Sequence, residues 1–417
     1  MHGTAESEHT LSYAWIILAL LLLSQLVMSM GAYGWGPLAS FIRDEFCVSR
    51  AQFGFLTSAL YLASVIIAIP SGFLVDKLGA RIMLIFSLII MGCAFCFIPT
   101  AGTFWVVIMF AALGGIGYGI INQVSTKGIM LWFPRKTRAT AMGIKQMGVT
   151  LGAALSAIIL PILALAKSWK LSVFIAGALM ILMALIVIIC YREHPPKRID
   201  VAGEEKEIPP KTTPIKIIYN PMLLALVVVM PFLAFSQSSI AAFLVLYLNE
   251  GINLPVSIAG SCLTVAMIAG TVGRIAWGMA SDNIFRGNRV KPSFILTLTG
   301  AVSIGGIGII HEGASLATVV ALSALIGFTA IGWNALLMTL GAEIVGPERA
   351  GSFMGISIAI AWMGIVSGPP VFGYLVDIFS YGIAWMALSL AFFVGSIGFA
   401  YMLFLQRDGR SAVEDRK

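Results

Sequence analysis

Charge is scarce in this chain. Of its 417 residues, 11% are Asp, Glu, Lys or Arg and 59% are hydrophobic, where a soluble domain carries roughly 25% charged residues. A water-soluble fold would leave most of these side chains with nowhere to hide, which excludes a soluble enzyme or binding module. Histidine is rarer still: His2, His9, His194 and His311 are the full set, and none lies within a long apolar run, His311 standing at the end of one. The five cysteines (Cys47, Cys93, Cys96, Cys190, Cys262) are scattered. Cys93 and Cys96 have C-x-x-C spacing, but no histidine or second cysteine pair accompanies them, so small packing residues are expected rather than metal or redox ligands. No Ser-His-Asp set, metal cluster or phosphate loop stands out, and neither a cofactor nor an enzymatic activity is expected. The first ten residues are polar and lack Lys and Arg, so no cleavable signal is read there.

Long apolar runs, by contrast, fill the chain. Mean hydropathy is +0.97, and the 43 glycines fit helices in a membrane better than helices in water. A bilayer-spanning helix needs about 20 mainly apolar residues. Twelve such runs occur, at 13–37, 50–75, 81–100, 104–131, 138–163, 168–191, 220–247, 255–281, 292–311, 316–341, 350–376 and 382–406. The expected fold class is therefore an all-α membrane protein of twelve transmembrane helices. One long polar stretch, Arg192–Lys216, divides them six and six. The expected domains are a first bundle at 1–191, a solvated cytoplasmic linker at 192–219, and a second bundle with a cytoplasmic tail at 220–417.

The net charge of +7 needs no nucleic acid to explain it. Nineteen of the 26 Lys and Arg fall in segments on one side of the predicted spans, and Arg43, Arg50, Lys167 and Lys170 fall on the other. The positive-inside rule then places both termini in the cytoplasm, as expected of a multi-pass protein of the inner (plasma) membrane. Its surroundings are the lipid bilayer and a monomer is expected. Lys127, Lys145 and Arg274 remain, and these lie inside spans.

The halves repeat. At an offset of 212, Asn122 meets Asn334, Met142-Gly143-Ile144 meets Met354-Gly355-Ile356, and Gly152 meets Gly364. Such a repeat predicts two similar bundles about a pseudo-two-fold axis, with a substrate site between them near mid-membrane.

Between the second and third spans lies Gly72-Phe73-Leu74-Val75-Asp76-Lys77-Leu78-Gly79-Ala80-Arg81. This resembles the major facilitator signature G-x-L-x-D-R/K-x-G-x-R, with every fixed position filled. Gly72 is expected to admit a close neighbouring helix. Asp76 sits at a helix C-terminus, where the macrodipole disfavours an anion. It therefore needs a partner: Lys77, Arg81 or a helix N-terminus of the other half. A weaker echo with the same spacing runs from Gly278 to Asp282. The resemblance implies a transporter with two pseudo-symmetric six-helix bundles, whose cytoplasmic gate is latched by this cluster.

Ionisable groups within a membrane are costly and point to function. Lys127, Lys145 and Arg274 lie seven or eight residues from basic or acidic span ends, about 11–12 Å deep at 1.5 Å per residue. Snorkelling to the headgroups is the competing reading for each. The 19 Asp and Glu all fall in loops, termini or helix ends, which leaves the path with unpaired positive charge and makes an anion its natural neutraliser. The stretch Arg274-Ile275-Ala276-Trp277-Gly278-Met279-Ala280-Ser281-Asp282 resembles the R-x-x-W-G-x-x-S-D of the oxalate:formate antiporter group and related monocarboxylate carriers. That resemblance implies that Arg274 binds a substrate carboxylate. It also implies that the fifth and eighth helices face each other, so that Lys145 and Arg274 act together. Oxalate carriers place a second cation in the eleventh helix; residues 350–376 contain none. The arginine of nitrate porters in helix two and the Gly-Pro motif of drug antiporters in helix five are absent too, while Gly368-Pro369-Pro370 is expected to bend the eleventh span.

Further candidates line the first, fourth, seventh and tenth spans: Gln25, Ser29 and Tyr33; Tyr118 and Asn122; Ser236, Gln237 and Ser239; Trp333 and Asn334. Each is as well explained by a helix–helix hydrogen bond. The reading is a secondary carrier of a small mono- or dicarboxylate at Arg274 and Lys145, working by alternating access as an anion exchanger or a proton–anion symporter. A carrier of neutral or cationic solutes with Lys145 and Arg274 as structural pins, an inorganic-anion porter, and a non-transporting receptor are the alternatives.

Overall fold

A computed structural model describes residues 2–133, 137–192, 220–345 and 350–414. Most of the expected linker and the basic residues Arg135, Lys136 and Arg349 therefore lie outside the described residues. The fold is all-helical, and twelve spans are long and apolar enough to cross a membrane. In chain order the helices are α1 (His2–Ala32), α2 (Ala39–Phe46), α3 (Arg50–Leu78), α4 (Ala80–Phe97), α5 (Phe104–Trp132), α6 (Arg138–Ala166), α7 (Trp169–Cys190), α8 (Pro221–Glu250), α9 (Val256–Asn283), α10 (Val290–Gly308), α11 (Leu316–Ile326), α12 (Asn334–Val345), α13 (Ala350–Ile378) and α14 (Tyr381–Glu414). Two features interrupt the expected pattern. The first span is extended by a 3-10 turn at Gly36–Leu38 and the short α2. The tenth is broken between α11 and α12 by a π-helical turn, Gly327–Ile331.

The ends of the helices follow from local chemistry. α3 opens with a capping box: Ser49 Oγ accepts from the Gln52 amide at 3.2 Å and Gln52 Oε1 accepts from the Ser49 amide at 2.9 Å, which satisfies two orphan donors reciprocally. Ser168 and Ser315 cap α7 and α11 with a single bond each, accepting from the Leu171 and Thr318 amides. The turn from α3 to α4 is a single residue, Gly79, at φ 88°, a conformation that L side chains resist.

The chain divides by contact into two compact units. The first comprises residues 1–198 with 242–249 and 254–264; the second comprises 199–241, 250–253 and 265–417. In the first, α3 packs on α5, α4 on α5 and α7, and α1 on α6. In the second, α10 packs on α14 and α12 on α13. The first unit is thus larger than the expected bundle at 1–191, because the last turns of α8 and the first of α9 belong to it. Thr264 donates to the Ala154 carbonyl at 3.0 Å, Phe243 meets Phe53 edge-on at 5.8 Å, and Gly260 lies directly on the Ala157 carbonyl.

Helices approach where small residues let them. A Cβ on Gly115 would strike the Leu60 carbonyl, and one on Gly327 the Ala266 carbonyl. Gly152 sits on the Leu26 carbonyl of α1 and Gly364 on the Pro231 carbonyl of α8. The two glycines are 212 apart and the carbonyls they meet 205 apart, so the packing repeats with one offset on α6 and α13 and another on α1 and α8. The outward faces carry large apolar residues such as Phe73, Ile189, Val302 and Phe404, suited to hydrocarbon.

Candidate functional site

In the first unit, polar side chains from α1, α3, α5 and α6 gather. Lys145 on α6 is 2% exposed, and its Nζ donates to Asn122 Oδ1 on α5 at 3.0 Å. An ammonium has three donors; among the described residues this one uses a single neutral acceptor, and no carboxylate pairs with it. Snorkelling therefore does not describe Lys145, whose charge points inward. One turn from Asn122, Tyr118 Oη lies 3.4 Å from Ser29 Oγ on α1. Ser29 in turn accepts from Gln25 Nε2 at 3.1 Å. Tyr33 follows at the end of α1, its amide bonded to the Ser29 carbonyl at 2.9 Å. The stripe read from the sequence as Gln25, Ser29 and Tyr33 is thus one connected surface. Tyr61 on α3 escaped notice there. Its ring meets Tyr118 edge-on at 6.1 Å and its hydroxyl pairs with Tyr33. A tyrosine midway along an apolar run was the available signal.

In the second unit the chemistry centres on the broken span. Arg274 Nε donates to the Ile331 carbonyl at 3.3 Å, and Trp277 Nε1 donates to the Phe328 carbonyl at 3.1 Å. Both acceptors belong to the π turn. A π turn disturbs the α ladder and would leave backbone groups without partners in a medium that offers none; α9 supplies two donors three residues apart, one helical turn. Gly270 and Gly273 on α9 make room for that turn, the second lying on the Phe328 carbonyl. The R-x-x-W spacing therefore has a local structural use, and Arg274 is in part the pin that one alternative foresaw. Asn334 Nδ2 donates to Gln237 Oε1 at 3.0 Å. Trp333 is 1% exposed, and its indole N–H has no acceptor among the described residues. Ser236 and Ser239 instead bond carbonyls of their own helix, Phe232 and Phe235, and Ser236 also reaches the Leu388 carbonyl of α14.

The motif at the basic face departs from expectation at two positions. Asp76 pairs with neither Lys77, which is exposed, nor Arg81, which donates to the Ile188 carbonyl at 2.7 Å. Its partner is Lys127 on α5, at 3.1 Å, which also donates to the Val75 carbonyl at 2.7 Å. Lys127 thus neutralises the acid and adds a second donor to a carbonyl that already accepts from the Gly79 amide, and does not simply snorkel. Gly72 admits no close helix: among the described residues nothing lies within 4 Å of where its Cβ would sit, and the same holds at Gly278. In the second unit Asp282 pairs with Arg289 at 2.5 Å, and Arg289 reaches Glu343 on α12 at 3.1 Å. Burial works against the Arg289 charge, but the two carboxylates outweigh it and hold the group above the ordinary arginine value. At the opposite face Glu45 accepts from Trp169 and Lys170, both at 2.5 Å, and Glu250 accepts from Tyr381 at 2.7 Å. Trp169 and Tyr381 are again 212 apart.

Comparisons with known proteins agree with this architecture. A family model for the Major Facilitator Superfamily matches residues 21–358. The hexuronate transporter of Bacillus subtilis is 26% identical over 353 residues, covering 81% of this chain and 82% of that protein. The probable sulfoacetate transporter of Cupriavidus necator is 26% identical over 355 residues, with the same coverage of 81% and 82%. Among solved structures, a bacterial homologue of the human lysosomal transporter Spinster, in an inward-facing and occupied conformation, superposes with a TM-score of 0.77 at 18% identity, covering 95% of this chain and 97% of that one. With its twelve apolar spans, its repeated packing and a family match across most of its length, the chain belongs to the major facilitator superfamily of membrane transporters.

Proposed function

We propose that this chain is a secondary carrier of a small organic anion, mono- or dicarboxylate, that works by alternating access in the inner (plasma) membrane with both termini in the cytoplasm. The observation that carries this is Lys145: an ammonium 2% exposed, bonded to one neutral amide at 3.0 Å, with no acid partner among the described residues. A buried charge without a counter-charge is costly, and an anion arriving as cargo relieves that cost. Arg274 adds a second positive charge inside a span. Among the described acids, Asp76, Asp282, Glu343, Glu45 and Glu250 are engaged by Lys127, Arg289, Lys170, Trp169 and Tyr381, so none of these five is offered to Lys145. That two relatives carry hexuronate and sulfoacetate, by their names, supports an anionic cargo.

The test is uptake of radiolabelled small carboxylates into proteoliposomes by wild type, Lys145→Met and Arg274→Ala. Each substitution is expected to lower uptake at least tenfold while the protein remains folded and inserted, because each leaves the anion unpaired in a low dielectric. Uptake within twofold of wild type for both variants would sink the reading in favour of a neutral cargo.

A further inference from the structure

We infer that Gln25 is a specificity-determining residue that accepts a hydrogen bond from a hydroxyl of the carried anion, so that the cargo is a hydroxylated organic acid rather than a plain alkyl acid. This rests on the organic-anion reading and narrows it. Gln25 is 1% exposed, and its amino group is spent on Ser29 at 3.1 Å. Its carbonyl oxygen is buried with no donor among the described residues. An unpaired buried acceptor carries an uncompensated desolvation cost, and native structures leave few of them.

Gln237 of the second unit shows what such an oxygen receives: Asn334 donates to it at 3.0 Å. In the first unit Asn122 is engaged by Lys145 instead, and the Gln25 oxygen has no donor among the described residues. Lys145 and the Gln25 oxygen then make opposite demands. The ammonium needs acceptors, which a carboxylate supplies. The amide oxygen needs a donor, which a carboxylate lacks and a hydroxyl has. Both side chains lie on the seam between α1 and α6: Gly148, one turn from Lys145, is packed against Gln25 at 3.0 Å from Cβ to Cβ position. The hydroxyls of Ser29 and Tyr118 and the ring of Tyr61 continue the same surface, and suit a polar cargo better than an aliphatic one.

The experiment measures binding to the purified full chain, by thermal shift and calorimetry, for matched acids with and without hydroxyls: lactate and propionate, malate and succinate, gluconate and hexanoate, with glucitol as the uncharged control. The hydroxylated member should bind about tenfold more tightly than its partner, a preference worth roughly 1.4 kcal/mol. Gln25→Met, which keeps length and burial but not the amide, should remove that preference and leave the plain acid within twofold. Plain acids that bind as well as hydroxylated ones in every pair that binds overturn the inference and leave the anion reading standing. An equal loss for both members in Gln25→Met assigns the amide to structure and also overturns it. If that variant does not fold, the wild-type preference alone decides. Glucitol binding as well as gluconate, or no acid binding at all, brings down the anion reading and the inference with it.

Discussion

Lys127 and Asp76 meet at the end of α3, with the acid mostly exposed to the surroundings. An exposed pair of this kind is worth about 1 kcal/mol or less, so its use lies elsewhere than in stability. Asp76→Asn and Lys127→Met are each expected to leave the melting temperature within a few degrees of wild type and to leave cargo affinity unchanged. Turnover should fall in both on the proposal that the pair biases a conformational equilibrium rather than touching the cargo. Tight binding with slowed uptake is the expected signature; lost binding with normal turnover in either variant contradicts the latch. That Asp76 required a cation was legible, since a carboxylate at a helix C-terminus is unfavourable on its own. Which cation was not legible, because Lys127 stands 51 residues away and the azimuth of one helix against another is not written in either. Lys145 was found for the opposite reason: a lysine deep in an apolar run is conspicuous wherever it points.

At the scale of whole helices, a span averages over about 20 residues, and that averaging made the spans readable. The run expected at 104–131 is α5, Phe104–Trp132, and that at 168–191 is α7, Trp169–Cys190. α2 and the π turn were not readable. α2 is eight residues long, and Gly327-Phe328-Thr329-Ala330-Ile331 holds no proline or charge to mark a break. Glycine was misread in one place and understated in others. Gly72→Ala should fold normally, with a melting temperature equal to wild type or slightly higher, since alanine is the better helix former by about 1 kcal/mol and the position is open. Gly115→Ala and Gly327→Ala should each destabilise by about 1–3 kcal/mol, as overpacked cores do, because a facing backbone carbonyl cannot swing aside. Thermal unfolding in one detergent ranks the three; equal melting temperatures would remove the close-approach argument. Trp277→Phe keeps the ring beside Phe328 and loses the N–H, and a cost of about 1–3 kcal/mol is expected for the carbonyl left unmet.

For the molecule as a whole, the electrostatics set a kinetic expectation. The empty carrier holds the Lys145 ammonium with no carboxylate partner among the described residues, and moving uncompensated charge through a low-dielectric constriction is slow. An anion lowers that barrier, so exchange should outrun net flux. Vesicles preloaded with unlabelled cargo should accumulate labelled cargo faster than empty ones. Strong accumulation driven by an inward proton gradient and indifferent to preloading would instead make the protein a proton–anion symporter.

Seven residues separate Gly115 from Asn122 and Gly327 from Asn334 alike, but only the second interval contains a π turn. Such a turn takes up one residue more than an α turn, which rotates everything after it by roughly 100° about the helix axis. Asn122 accordingly faces α6 and meets Lys145, while Asn334 is swung to α8 and meets Gln237. Ser357, the counterpart of Lys145 at the same offset, is left with a buried hydroxyl that has no partner among the described residues. Two halves with a common pattern have been set out of phase by a single turn of helix. Rewinding residues 327–331 to an α turn would bring them back into step, turning Asn334 towards Ser357 and away from Gln237.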